Sequence, residues 1–124
     1  MNWESISYFT SEEFDSPDLP GSGEDMDEDF VSMLDEARKV AGTSFVVTSG
    51  MRSPAHNRKV GGVEGSSHLV GHAADIACSS SNARERIVSS LVKSGFNRIG
   101  IADTFIHCDN DPDKAPNVIW LYSK

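Results

Sequence analysis

A chain of 124 residues has room for one compact domain, taken here as 1–124, and little room for a second hydrophobic core. Its apolar fraction of 38%, with six Phe, two Trp and two Tyr, can supply a core and argues against a disordered chain. The net charge of -8 is uneven: Met1 to Glu36 carries twelve acids and no Lys or Arg, and the remainder has eleven bases against seven acids, which argues against a nucleic-acid groove in the first third and is compatible with an anionic polymer such as cell-wall glycan or peptide against the rest.

In chain order, Phe9 and Phe14 flank Thr10 and Ser11, either of which can cap a short helical turn with an acid three residues on. The segment predicts an N-terminal clasp. Pro17, Pro20, Gly21 and Gly23 then break regular structure and give a connector from Asp15 to Glu24. From Met26 to Ala41, Phe30, Met33, Leu34, Ala37 and Val40 recur at three- and four-residue spacing, with acids at the start, Arg38 and Lys39 near the end and Gly42 beyond. That is an amphipathic helix. The acidic run Glu24 to Asp29 lacks the alternating ligands and mid-loop Gly of a calcium-binding EF-hand and reads as a solvated helix start.

Ser44 to Thr48 reads as a buried strand, and Ser49-Gly50 ends it in a turn that carries Met51-Arg52-Ser53-Pro54 to one end of a sheet. Asn57 through Ser67, with Gly61, Gly62 and Gly65, predicts a loop able to fold closely over a site, and His68 follows it directly. Ala73 to Cys78 is a short strand. Asn82 caps a second helix to Ser94, with Ile87, Val88, Leu91 and Val92 inward and Gly95 after its end. Three strands follow, at Arg98 to Ile101, Thr104 to Cys108 and Val118 to Tyr122, the last two separated by a polar loop from Asp109 to Asn117. Connections this short disfavour parallel crossovers, so the expected fold class is α+β, a mainly antiparallel sheet with helices packed on it.

No stretch reaches the roughly 18 apolar residues of a membrane helix. Met1-Asn2-Trp3-Glu4 lacks the basic start of a signal peptide, so the expectation is a monomer made in the cytoplasm without a leader, with no membrane partner. Cys78 and Cys108 are too few for a disulfide scaffold and lack the spacing of a structural zinc site, which makes them buried thiols.

A catalytic zinc site takes three ligands from His, Asp, Glu or Cys and leaves a fourth position to water. The segment Ser67-His68-Leu69-Val70-Gly71-His72-Ala73-Ala74-Asp75 places His68 and Asp75 seven residues apart, with small residues that let two elements approach one ion. In a strand, Phe105, His107 and Asp109 share one face and Ile106 and Cys108 the other, so His107 can look across at Asp75. The cysteines then back the sheet.

The run Ser49-Gly-Met-Arg-Ser-Pro-Ala-His-Asn, then Val60-Gly-Gly, then Ser67-His-Leu-Val-Gly-His-Ala-Ala-Asp-Ile, then Phe105-Ile-His-Cys-Asp resembles the M15 family of zinc D-Ala-D-Ala carboxypeptidases. The likeness is to its small-domain branch, common in phage endolysins and cell-wall hydrolases, and extends from the Phe9 to Phe14 segment through Trp120. It implies the hedgehog/D-Ala-D-Ala-peptidase-like fold, with His68, Asp75 and His107 binding zinc. It also implies that Arg52 faces the substrate, where a guanidinium can hold a carboxylate or an oxyanion. A fold-stabilising ion pair is the alternative for Arg52. Ser67 is expected to support the site by hydrogen bonding, and His56 and His72 to stand outside the ligand set. Many members carry the catalytic acid three residues before the last ligand, where this chain has Thr104. Asp103 therefore ranks first as general base, with Asp109 and Glu64 behind it, and Asp109 is also a candidate for orienting a ligand. Two functions follow: a peptidase cutting peptidoglycan stem peptides at a D-amino acid, or a zinc-stabilised module that binds wall peptide or protein without cutting. A purely structural virion or tail component is the third.

Overall fold

The computed structural model describes residues 1–122, and the α+β architecture is the one expected. Helix α1 (Glu28–Ala41) is followed by β1 (Val47–Ser49), α2 (Pro54–Lys59), β2 (Ala73–Ala77), α3 (Ser81–Lys93), β3 (Arg98–Ile101), β4 (Phe105–Asp109) and β5 (Val118–Leu121). The five strands form one sheet in the order β1-β2-β4-β3-β5. Every pairing is antiparallel except β3 with β5, where the chain crosses β4 and the 110–117 loop before returning.

Alternation along the strands divides the molecule. Ala74 and Ile76 of β2, Ile99 of β3, and Ile106 and Cys108 of β4 turn into a core shared with Phe30, Leu34 and Ala37 of α1 and Ile87 and Leu91 of α3. Asp75, His107 and Asp109 turn the other way, into a cavity. Each fully buried Leu or Phe in that core contributes about 1.5–3 kcal/mol, so the helical face supplies the stability that lets the opposite face hold polar groups.

The ends of α1 are fixed by local chemistry. The Asp27 carboxylate accepts from the Phe30 amide at 2.9 Å, and Gly42 leaves the helix at φ 67°, a left-handed conformation suited to glycine. Helix α3 starts earlier than expected, capped by Ser80 rather than Asn82. Val40 and Val92, assigned to the inward stripes, are 45% and 52% exposed: Val40 lies at the border of its apolar face, Val92 shares a face of α3 with the exposed Glu85, and Val31 is buried instead.

Other element boundaries also differ from the sequence reading. The first strand keeps only Val47–Ser49, since its pairing to β2 is irregular between Val47 and Ser49. Residues 54–59 form a helix, not part of a loop: Ser53 accepts from the His56 amide and Pro54 occupies the first turn. Strand β4 runs one residue later than expected, leaving Thr104 in the bend after β3 and bringing Asp109 into the strand.

The N-terminal clasp forms as a 3₁₀ turn, Ser11–Phe14, with the Glu13 carboxylate accepting from the Thr10 amide at 2.7 Å. Phe9 and Phe14 are buried, and the Phe14 carbonyl accepts from Met51 N at 2.8 Å. A Cβ at Gly50 would meet the Phe14 backbone at 2.7 Å, so glycine is what allows the clasp to lie against the strand end that bears Arg52. Cys78 and Cys108 are free and buried, as expected.

Candidate metal centre

Three elements converge on one point. His68 lies in a 3₁₀ turn, Ser67–Val70, held to the start of the Arg52 segment by Arg52 N donating to the His68 carbonyl at 3.0 Å. Asp75 and His107 are directly paired residues of β2 and β4, and with side chains on the same face they must meet. His68 Nε2 lies 3.4 Å, and His107 Nδ1 3.0 Å, from the same Asp75 oxygen, Oδ1. All three residues are buried, and one candidate ligand atom from each falls within 4.8 Å of the others.

The far side of each imidazole is also fixed. His68 Nδ1 is 2.7 Å from the Gly50 carbonyl, which can only accept, so Nδ1 carries a proton and Nε2 is the atom that faces the cluster. His107 Nε2 is 2.7 Å from Asp109 Oδ2, which leaves Nδ1 as the inward atom. Two oriented imidazoles and one carboxylate, opening to a cavity of about 410 Å³, fit a divalent metal ion with a position left for another ligand. His72 and His56 stand outside the cluster. His72 Nδ1 meets Asn110 Oδ1 at 2.7 Å, and His56 lies on α2 beside Asp18.

Electrostatics agree with the geometry. Burial would raise the Asp75 pKa, but His107 and His68 outweigh it and hold the carboxyl well below the ordinary range. Burial would lower that of His107, yet the Asp109 and Asp75 carboxylates raise it. Asp109 is held below its ordinary value because His107 and Arg98 overcome the cost of burial. Arg98 Nε donates to Asp109 Oδ1 at 2.7 Å, and the Asp111 amide donates to the same oxygen at 3.2 Å. Both oxygens of Asp109 are therefore committed.

Arg52 is brought to the site and locked there. Its Nη2 is 3.5 Å from Asp75 Oδ2, its Nε donates to Ser49 Oγ at 3.1 Å, and its Nη1 donates to Asn57 Oδ1 at 3.2 Å. A Cβ on Gly62 would collide with the Asn57 amide oxygen and lie 2.8 Å from Arg52 Nη1, so this glycine permits the close approach of the loop. Ser67 Oγ donates to Asp111 Oδ2 at 2.7 Å and accepts from Lys114 Nζ at 2.8 Å. Asp103 is exposed in the bend between β3 and β4 and is not part of the cavity lining. Glu64 is exposed and lines a neighbouring cleft with Asn57 and Leu69.

The sequence reading missed the cavity's far wall. Trp120 and Tyr122 stand over His107, with ring centroids at 5.4 and 6.5 Å, and Arg98 lies 5.0 Å above the Trp120 ring. Gly100 makes room for them: a Cβ there would meet Tyr122 at 2.6 Å and Trp120 at 2.7 Å. Alternation in β5 placed Trp120 on one face, but nothing local said that this face was the site.

A mainly antiparallel sheet with helices on one face thus carries, in a cleft on the other, a His-Asp-His donor set of the kind that metallohydrolases use. The chain belongs to the Peptidase M15 family, whose model matches residues 8–109. No individual curated protein matches the sequence. The match covers all three candidate ligands and ends at Asp109, short of the Trp120 limit of the sequence resemblance. Family membership supports a peptidase acting on a peptide substrate. Among the described residues no helix is long and apolar enough to cross a membrane.

Proposed function

We propose that the protein is a zinc peptidase that hydrolyses a bond in peptidoglycan stem peptides, at a D-amino acid, as a DD-carboxypeptidase or an endopeptidase. The carrying observation is the convergence of His68, Asp75 and His107 at the cavity, with each imidazole oriented by its own partner. The basic excess beyond Glu36 suits an anionic wall polymer and supports the same substrate class. The place of action is then the cell wall, whether the protein is of phage or cellular origin.

His68, Asp75 and His107 would hold zinc, which when bound would supply Lewis acidity toward the scissile carbonyl and toward water. The chain's own residues do the rest. Arg52, held by Asp75, Asn57 and Ser49, presents positive charge where the carbonyl oxygen becomes negative. Asp109 fixes the tautomer and direction of His107. Ser67 Oγ donates to Asp111, which ties the His68 turn to the loop after β4. For the residue that takes the proton from water and returns it to the leaving amine, Asp109 is committed elsewhere and Glu64 faces another cleft. We assign Asp103, on the bend that precedes Phe105 of the cavity wall.

The position of Asp103 outside the lining also favours a second reading, a zinc-stabilised module that binds wall peptide or a protein partner without cutting. Mass spectrometry of muropeptides incubated with zinc-loaded protein separates the two. Peptidase action gives shortened stems whose masses identify the bond. Intact muropeptides retained by the protein would establish the binding module instead.

A further inference from the structure

Lys114 is a half-buried cation in the wall of the same cavity, and the proposed reaction gives it no task. It stands on the loop between β4 and β5, beyond the residues matched by the family model. The loop is built to present it. Asp111 accepts from the Asp113 amide at 3.0 Å, Lys114 N donates to the Asp111 carbonyl at 3.3 Å, and the Ala115 carbonyl accepts from Arg98 Nη1.

The ammonium carries three N–H bonds. One goes to Ser67 Oγ at 2.8 Å, and Asp111 Oδ2 lies 3.7 Å away, already accepting from Ser67. Donor capacity therefore remains on the side that lines the cavity. The other two cations of the lining are more fully occupied: Arg98 by Asp109 and Ala115, and Arg52 by Asp75, Asn57 and Ser49. Ser67 is the neighbour of His68, so the ammonium stands close to the candidate metal ligands. An apolar wall of Phe105, Trp120 and Tyr122 lines the same space.

From this placement we infer that Lys114 forms a carboxylate subsite, selecting peptides that carry a free carboxylate close to the bond cut. The inference rests on the peptidase reading for its substrate but not for its binding. Two sources share that chemistry: the C-terminal carboxylate of the peptide, and the free carboxylate of an acidic residue within it.

The test uses zinc-loaded protein and three stem pentapeptides: one with both carboxylates free, one with its C-terminus amidated, and one with its glutamyl carboxylate amidated. Wild type should prefer the free acid over one of the two amides, and that amide names the source. K114M should raise KM for the free acid about ten- to a hundredfold, the size of a lost charged hydrogen bond, with kcat and zinc content unchanged. It should leave KM for the discriminating amide where it was. K114R, which keeps the charge, should restore the preference and serves as the control if K114M folds poorly. Equal KM for acid and both amides in wild type, or an equal loss on all three in K114M, would overturn the subsite. If wild type cleaves none of the peptides, the peptidase reading fails, and calorimetric binding to the same protein decides the subsite separately. Acid-selective binding lost in K114M sustains it, and its absence ends it.

Discussion

The two walls of the cavity are made in different ways. One is built by β2, β4 and the turn at His68, all within the family match, and its three candidate ligands are buried and bonded on both sides. The other comes from the loop after β4 and from β5, beyond the match, and brings Lys114, Trp120 and Tyr122, which are partly exposed. A rigid wall suits chemistry that tolerates little displacement. A wall carried by a loop and an edge strand can differ between relatives that share the same metal site, so substrate choice is expected to lie there.

The sharpest way to break this contrast is to remove a ligand. H68A or H107A should lose zinc, measured by elemental analysis, and all muropeptide cleavage, whereas K114M should keep both zinc and kcat. D109N comes next. Leaving His107 without its carboxylate should weaken zinc affinity about ten- to a hundredfold, read by competition with a chelating dye. The same change should barely alter selection between acid and amide peptides.

A third prediction concerns pH in the metal-free protein. The pKa of His107 is raised in the fold, so its contribution to stability is complete below the unfolded value of about 6.5 and is lost as pH rises through the folded value. A bound metal replaces that proton. The Tm gap between zinc-loaded and chelated protein should therefore widen from pH 5.5 to pH 8. A gap that narrows would mean that His107 is not a ligand.

The ligand wall was legible in the sequence and the other wall was not. Strand alternation is local, so Phe105 to Asp109 could be sorted into faces, whereas the spacing of His68, Asp75 and His107 was weak by itself and gained weight from the family resemblance of the segments around it. The supporting bonds join residues far apart: Ser67 to Asp111 across 44 positions and Ser67 to Lys114 across 47. No periodicity reports such pairs. Helix α2 carried a start signal in Ser53-Pro54, but its six residues carry no apolar stripe, Asn57 being the one that is buried, and the glycines beyond it suggested a loop. Asp103 was placed by counting back from His107, and counting does not show that the residue falls on an exposed bend outside the cavity lining.

The smallest expected effect tests whether the ligand wall depends on that unanticipated helix. Ser53 Oγ accepts from the His56 amide at 3.0 Å and donates to Asp18 Oδ2 at 2.6 Å, tying α2 to the N-terminal connector. Asn57, on the same helix, holds Arg52. S53A removes the cap and should cost about 1 kcal/mol, a Tm decrease of about 4 °C. Zinc content should not change, because none of the three ligands is carried by α2. Turnover should fall slightly through a looser Arg52, with KM for the acid peptide unmoved. If S53A instead released zinc, α2 would belong to the metal wall itself, and the separation between a fixed centre and its adjustable surroundings would begin further from the ion than the ligands alone suggest.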